Sequence, residues 1–210
     1  MALEPGSSET HTRREERDLS AAQSGILDVI RSRRVSRRFK QNPVSREHIE
    51  LILEGARWAP SGGNRRLNVY IVIQDPQTIR KLRAISPGML PSPPAVILIC
   101  LDTAKSLALG FQYWEQASAY VDLGTAMENM LLVAHVLGLG ACPVMSFHRP
   151  AVQLLLDLPE TLVPEVMVML GEPEQPPRGR SRPVDVNAFT HWERYGGSAD
   201  EHGRRTSRNA

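Results

Sequence analysis

Four arginines fall within six residues, Arg33, Arg34, Arg37 and Arg38, with Phe39 directly behind them. A guanidinium is planar, permanently charged and presents its donors in a fixed fork, which suits a phosphate or another anion with paired oxygens. A solvated basic loop has the same composition, so the run by itself leaves both readings open. Arg178, Arg180 and Arg182 form a second cluster late in the chain, with an exposed loop as the plain alternative. Between them lies Ala59-Pro60-Ser61-Gly62-Gly63-Asn64-Arg65-Arg66. Its small residues let a ligand approach the backbone, and Ser61 and Asn64 supply short hydrogen-bonding groups. A connecting loop after a helix would look similar. A fourth stretch, Pro143-Val144-Met145-Ser146-Phe147, stands where an apolar run gives out, as a strand does on leaving a sheet.

Other chemistries find little support. The sequence holds no P-loop, no glycine triplet of the dinucleotide-binding kind, no HExxH and no CxxC. His11, His48, His135, His148, His191 and His202 are scattered without metal spacing, so no metal site is expected, and no serine sits in a nucleophile elbow. A bound cofactor is the expected agent of any reaction, with no side chain required as nucleophile or base. His135 lies in an apolar helix and reads as a hydrogen-bonded core histidine, whereas His148, just past the fourth stretch, is a candidate proton donor. Phe111, Tyr113 and Trp114 divide between a lid, together with Ala104–Gln112, and a core or interface role.

The elements that must carry these residues alternate along the chain. A helix is expected from Gly25 to Arg34. Ser45 caps a second helix whose inner face is Ile49, Ile52, Leu53 and Ala56, and Pro60 ends it. Val69–Ile73 reads as a strand, Asp75-Pro76 as the start of a helix to Ala84, Ser86–Pro94 as a loop, and Ala95–Leu101 as a strand covered on both faces. Tyr113–Leu137 makes a long helix closed by Gly138 or Gly140. Its second half is apolar nearly all round and must be buried on every side, in part by a second copy of the chain. Cys142–Phe147 reads as a strand entering a loop, Pro150–Leu156 as a short helix and Glu165–Leu170 as a strand ending at Gly171. Strands interleaved with helices on a central sheet give a layered α/β or α+β architecture.

Composition agrees with a folded chain. Its 210 residues are 41% hydrophobic, with a formal net charge of +2. That balance gives no general argument for nucleic acid, and the arginine runs lack interleaved aromatic residues. Cys100 and Cys142 sit in apolar runs, as buried thiols do in a reducing cytosol, and a cytoplasmic location is expected. No apolar stretch reaches the roughly 20 residues that a bilayer requires, so no membrane association is expected. Residues 1–22 and 197–210 are polar and read as mobile tails around one domain spanning 23–196.

Taken together and in order, the four segments resemble the nitroreductase family of FMN-dependent oxidoreductases. The resemblance runs from about Gly25 to Tyr195. It rests on RRxxRxF (Arg33, Arg34, Arg37, Phe39), on APSGGN before the first strand, on the long apolar helix ending LGLG, and on the late arginines followed by His191–Gly196. It implies an α+β fold with a mainly antiparallel central sheet flanked by helices and a long buried helix at a homodimer interface, where each FMN site is shared between subunits. It places Arg33, Arg34, Arg180 and Arg182 at the phosphate, with Val35 at a position that usually carries a hydroxyl. Arg37 falls at the pyrimidine edge of the flavin, where a cation stabilises charge that develops on reduction. Pro60, Ser61, Gly62 and Asn64 line the ring and ribityl chain from the neighbouring subunit. Pro143, Val144, Met145 and Ser146 bring backbone amides to N5 and the 4-carbonyl. Arg66, where the family usually continues Gln-Pro-Trp, adds positive charge suited to an anionic substrate or NADPH. The implied activity is ping-pong hydride transfer from NAD(P)H to flavin N5 and on to a nitroaromatic, quinone or similar small conjugated acceptor. Two other functions are compatible with the same scaffold: a flavin-fragmenting enzyme like dimethylbenzimidazole synthase, and a non-catalytic flavin-holding protein.

Overall fold

Four runs rich in aliphatic residues pair into one antiparallel sheet: β1 (Asn68–Ile73), β2 (Ala95–Asp102), β3 (Gly140–Val144) and β4 (Leu162–Gly171), in the spatial order β1-β2-β4-β3. This is a computed structural model, and it describes residues 21–110, 116–175 and 185–197. The two central strands, β2 and β4, are buried along nearly their whole length, as a strand without polar alternation must be. They pair from Ala95 opposite Leu170 to Ile99 opposite Val166, with a bulge before Cys100.

Six helices accompany the sheet among the described residues: α1 (Ala21–Ser32), α2 (Arg46–Arg57), α3 (Pro76–Ala84), α4 (Thr103–Ala108), α5 (Gln116–Val136) and α6 (Arg149–Leu155). Successive strand residues point to opposite faces. Ile97, Ile99, Val166 and Val168 therefore share one core with Ile49 and Ile52 of α2 and with Ala126, Met130 and Ala134 of α5. Val96, Leu98, Met167 and Met169 pack on the other side with Ile79 and Leu82 of α3 and Val152 of α6. Helices thus cover both faces of an antiparallel sheet, the α+β arrangement expected. The expected caps are present. Ser45 Oγ accepts from the His48 amide at 3.2 Å, and Asp75 accepts from the Thr78 amide at 2.7 Å ahead of Pro76. Both cysteines are buried, and burial pushes the Cys100 thiol up to about 12, with nearby Glu165 adding to the effect.

Two features add to the expectations. β3 begins at Gly140, two residues earlier than expected, and ends at Val144, so Met145 and Ser146 lie in the loop beyond it and are exposed. A turn of helix at α4 follows β2; Asp102 caps it by accepting from the Lys105 amide at 2.8 Å. Within one chain the second half of α5 keeps one side open, the side for which a second copy is expected. Val136 is 67% exposed and Trp58, at the end of α2, 73% exposed. With Leu51 and Leu132 they flank an apolar groove of about 480 Å³ between the two helices. Gly138, at φ 75°, closes α5 as expected.

The chain divides into two compact units, Met1–Arg178 and Gly179–Ala210. In the second, a 3₁₀ turn at Val186–Ala188 is capped by Asp185, and the rings of His191 and Tyr195 lie 4.5 Å apart between centroids. Of the expected tails, 1–22 and 197–210, residues 1–20 and 198–210 lie outside the described residues, as do the late cluster Arg178, Arg180 and Arg182 and the group Phe111, Tyr113 and Trp114. No described helix is long and apolar enough to cross a membrane.

Candidate active site

The arginine run leaves the end of α1 and lies along the outer edge of the sheet. Val35 forms a parallel bridge with Ala141 of β3, and the Ser36 amide donates to the Ala141 carbonyl at 3.0 Å. The approach is possible because residue 140 has no side chain: a Cβ there would stand 2.5 Å from Ser36 Cβ. Phe39 is 2% exposed in the core, and it bridges Pro173 just past β4. The Lys40 amide donates to the Glu172 carbonyl at 2.8 Å and the Glu174 amide to the Arg38 carbonyl at 3.2 Å. Lys40 Nζ and Asn42 Nδ2 both donate to the Glu172 carboxylate, and these bonds hold it below the usual carboxylate range. The run is therefore zipped between the start of β3 and the residues just past β4, Glu172 to Glu174.

The four arginines have different neighbours. Arg33 Nε lies 3.0 Å from Glu128 Oε1 of α5. The carboxylate is off the N–H line, so this buried nitrogen has a charge contact without a hydrogen bond. Arg34 Nη1 donates to the carbonyls of Arg31 at 2.6 Å and Arg33 at 2.7 Å, closing the end of α1. Arg37 and Arg38 are exposed and enter no ion pair among the described residues. Burial raises the Cys142 thiol while Arg37 pulls it down, so the Arg37 charge is felt at β3. Pro143 is half-buried and Val144 buried. Past them, the amides of Met145 and Ser146 find no acceptor among the described residues. Two amides free to donate at the mouth of a strand form a site that favours negative charge.

The Pro60–Arg66 turn is built elsewhere. The Gly62 amide donates to both oxygens of Asp122, at 3.0 and 3.1 Å, and Thr125 Oγ1 donates to the Pro60 carbonyl at 3.3 Å. Gly63, Asn64 and Arg66 all have positive φ (59°, 55° and 50°), a conformation that a long side chain adopts only under constraint. The constraint is visible. Arg66 Nε donates to Asn64 Oδ1 at 3.0 Å, and Lys105 Nζ of α4 donates to the Arg66 carbonyl at 2.9 Å. Pro60, Ser61 and Arg66 line a cavity of about 170 Å³ together with Arg57, Tyr70 and Asp122. Burial pushes the Tyr70 phenol up, and a hydrogen bond with Asn68 works against it.

The two halves of the expected site therefore meet α5 on different faces. Asp122 and Glu128 are six residues apart, about 120° around the helix. One chain brings Val35 to Ala141 and the Arg37 charge to Cys142 of β3, the strand that leads to Pro143–Ser146, with Arg33 on Glu128 and Arg34 on the carbonyls that end α1. It places Pro60, Ser61, Gly62, Asn64 and Arg66 on another side of α5. Asp122, Glu128 and Lys105 were missed by the reading of the sequence. The signal for the first two was present: they are the two acidic residues of α5, a helix otherwise nearly free of charge. His135 is half-buried and hydrogen-bonded, its Nε2 lying 2.8 Å from Ser32 Oγ. His148 caps α6 by accepting from the Ala151 amide through Nδ1 at 3.1 Å.

The sequence profile of the nitroreductase family matches residues 30–172. A protein of Archaeoglobus fulgidus assigned as an NADH dehydrogenase/NAD(P)H nitroreductase is 35% identical over 154 residues, covering 70% of this chain and 85% of its own. The NAD(P)H-dependent FMN reductase of Bacillus subtilis is 25% identical over 186 residues, covering 81% and 74%. Among solved structures, a nitroreductase family protein of Clostridium difficile superposes with a TM-score of 0.70 at 26% identity, over 80% of this chain and 98% of that one.

Proposed function

The chain belongs to the nitroreductase family, and from that premise we propose that it is an NAD(P)H-dependent flavin oxidoreductase acting on a nitroaromatic, quinone or similar conjugated acceptor. The observation that carries this reading is the lacing of the arginine run onto Ala141, near the start of β3. It brings the Arg37 charge to Cys142, on the strand that leads out to the Met145 and Ser146 amides, which are free to donate.

The residues present fit FMN. When bound, FMN supplies a two-electron carrier that accepts hydride from NAD(P)H and releases it to the acceptor in alternating half-reactions. Arg33 and Arg34 would hold the phosphate, the group to which the family resemblance also assigns Arg180 and Arg182. Arg37 and the Met145 and Ser146 amides would hold the carbonyl edge of the ring, where fixed donors and a cation favour developing negative charge without reorganising. Pro60, Ser61, Gly62 and Asn64 would line the ring from a second copy, since in one chain they lie on another face of α5 from the arginine run. The exposed apolar groove between α2 and α5 supports a homodimer, because exposed patches of this kind mark interfaces. Arg66, held at positive φ, would set a preference for anionic ligands. We place the protein in the cytoplasm, where its buried free thiols stay reduced.

The test is a visible spectrum of the purified protein before and after anaerobic addition of NADPH and then NADH. Bound flavin absorbance that bleaches supports the reading, and parallel double-reciprocal plots with the acceptor support alternation. Flavin that is bound but never bleaches would indicate a flavin-holding protein. Flavin consumed on aerobic turnover would indicate the fragmenting activity, and failure to take up FMN would overturn the assignment.

A further inference from the structure

We propose that Glu128 is the positioning residue for the phosphate end of the flavin site. It holds Arg33 by its Nε edge so that the terminal guanidinium nitrogens remain turned to the ligand. The proposal rests on the flavin reading above and assigns a role to a residue outside its four segments.

The geometry is specific. The Arg33 backbone is already fixed, because its amide donates to the Val29 carbonyl at 3.0 Å and continues the hydrogen bonding of α1. What remains variable is the side chain, which is three-quarters buried, at 25% exposure against 44% for Glu128. Its Nε has no access to solvent and no hydrogen bond, so the Glu128 carboxylate at 3.0 Å is what compensates that buried donor. A guanidinium gripped at Nε keeps its other edge, the pair of terminal nitrogens, for a bidentate anion. Without the carboxylate the buried N–H would lose its compensation, and the side chain would move to recover one.

A second contact shows that this stripe of α5 acts on the segment as a whole. His135 lies seven residues beyond Glu128, which returns it to nearly the same face of the helix. Its Nε2 is 2.8 Å from Ser32 Oγ, and that hydroxyl also donates to the Asp28 carbonyl at 2.6 Å. Two consecutive residues, Ser32 and Arg33, are thus gripped from one line of α5. The other charged group beside them, Arg34, is turned to the Arg31 and Arg33 carbonyls. The second acid of α5, Asp122, is engaged by Gly62 on another face.

A carboxylate near a phosphate site has two opposed effects: it orients the arginine and it repels the dianion. Two substitutions separate them. Glu128→Gln keeps an acceptor of the same reach and removes the charge. Glu128→Ala removes both. The experiment strips flavin from the full chain and measures the Kd of FMN and of riboflavin, which lacks the phosphate, by flavin fluorescence. Positioning predicts that Glu128→Ala weakens FMN by about tenfold, equivalent to one charge-assisted hydrogen bond, and leaves riboflavin unchanged. Glu128→Gln then binds FMN at least as tightly as the wild type. In an Arg33→Ala background, Glu128→Ala has no further effect on FMN. Unchanged riboflavin binding also reports that the variant is folded. Equal tightening of FMN by both substitutions would overturn the proposal in favour of simple repulsion, and no change in either would reduce the contact to an idle surface pair. In both cases the flavin reading would survive. A wild-type protein that binds neither flavin would overturn that reading and the proposal with it.

Discussion

The arginine run and the Pro60–Arg66 turn flank the same helix and are held in opposite ways. The run is fixed by backbone: a bridge and an amide bond to β3, a bridge and two amide bonds to the end of β4, and Phe39 in the core. The turn is fixed chiefly by side chains, with Asp122 on the Gly62 amide, Thr125 and Lys105 on carbonyls, and Asn64 on Arg66. A segment laced by backbone keeps its course when its side chains change. A segment pinned by side chains holds residues at positive φ that backbone pairing would not tolerate. The first arrangement suits a phosphate anchor, and the second suits a turn whose residues set which ligands are accepted.

The largest break in this contrast comes at Phe39. Phe39→Ala empties a fully packed position that pins the run between β3 and β4, and it should lower stability by about 4 kcal/mol. In urea denaturation the midpoint should fall accordingly. Hydrogen exchange should speed up first at Ser36 and Lys40, whose amides bond to Ala141 and Glu172, and not at Gly62. Equal acceleration at Gly62 would show that the two regions unfold together, and the distinction would fail.

Asp122→Ala attacks the other region. It removes a carboxylate that is 8% exposed and accepts the Gly62 amide with both oxygens, so a loss of about 2 kcal/mol is expected. Asp122→Asn, which keeps one acceptor oxygen, should recover about half. Exchange should now accelerate at Gly62 and leave Ser36 as it was. A loss confined to this side would sharpen the contrast.

How much of this was legible in the sequence follows from the same difference. The elements that carry the run were readable because apolar periodicity and caps are local: Ser45, Asp75-Pro76 and the AVILICL run each declare their element within a few residues. The four segments of the candidate site were readable as an ordered set. The tertiary partners were not, because Glu128 meets Arg33 across 95 residues of chain and Asp122 meets Gly62 across 60. The last residue of β3 was not readable for a related reason. Val144, Met145 and Phe147 continue an apolar pattern, and only the pairing of Val144 with Met167 decides where the ladder stops. The apolar second half of α5 calls for cover on every side, and one chain leaves its outer face as an open groove.

Arg66→Gly tests whether the turn stores strain. A left-handed conformation costs a non-glycine residue about 1 kcal/mol or more. Glycine relieves it and returns part of the gain through the greater freedom of the unfolded chain. Stability should rise by about 0.5 kcal/mol, and binding of an anionic ligand such as NADPH should weaken relative to NADH. A loss of stability would mean that the bond from Arg66 Nε to Asn64 does more than balance the strain, and would make the turn as rigidly determined as the run.

The smallest effect concerns acid. Lys40 and Asn42 bond to the Glu172 carboxylate and hold it below its usual range of about 4.5. A folded-state value below the unfolded one means that this contact contributes stability above the unfolded carboxylate value, and that the contribution disappears as pH falls through the lowered folded value. Exposed pairs of this kind add little, so Glu172→Gln should shift the urea midpoint only slightly at pH 7. The difference from the wild type should shrink as pH falls through the lowered folded value, below which both side chains are neutral. The backbone bond from the Lys40 amide to the Glu172 carbonyl survives the substitution, so exchange at that amide should hardly change. Marked acceleration there would mean that side chains, and not the ladder, hold the run in place, and the contrast between the two regions would collapse.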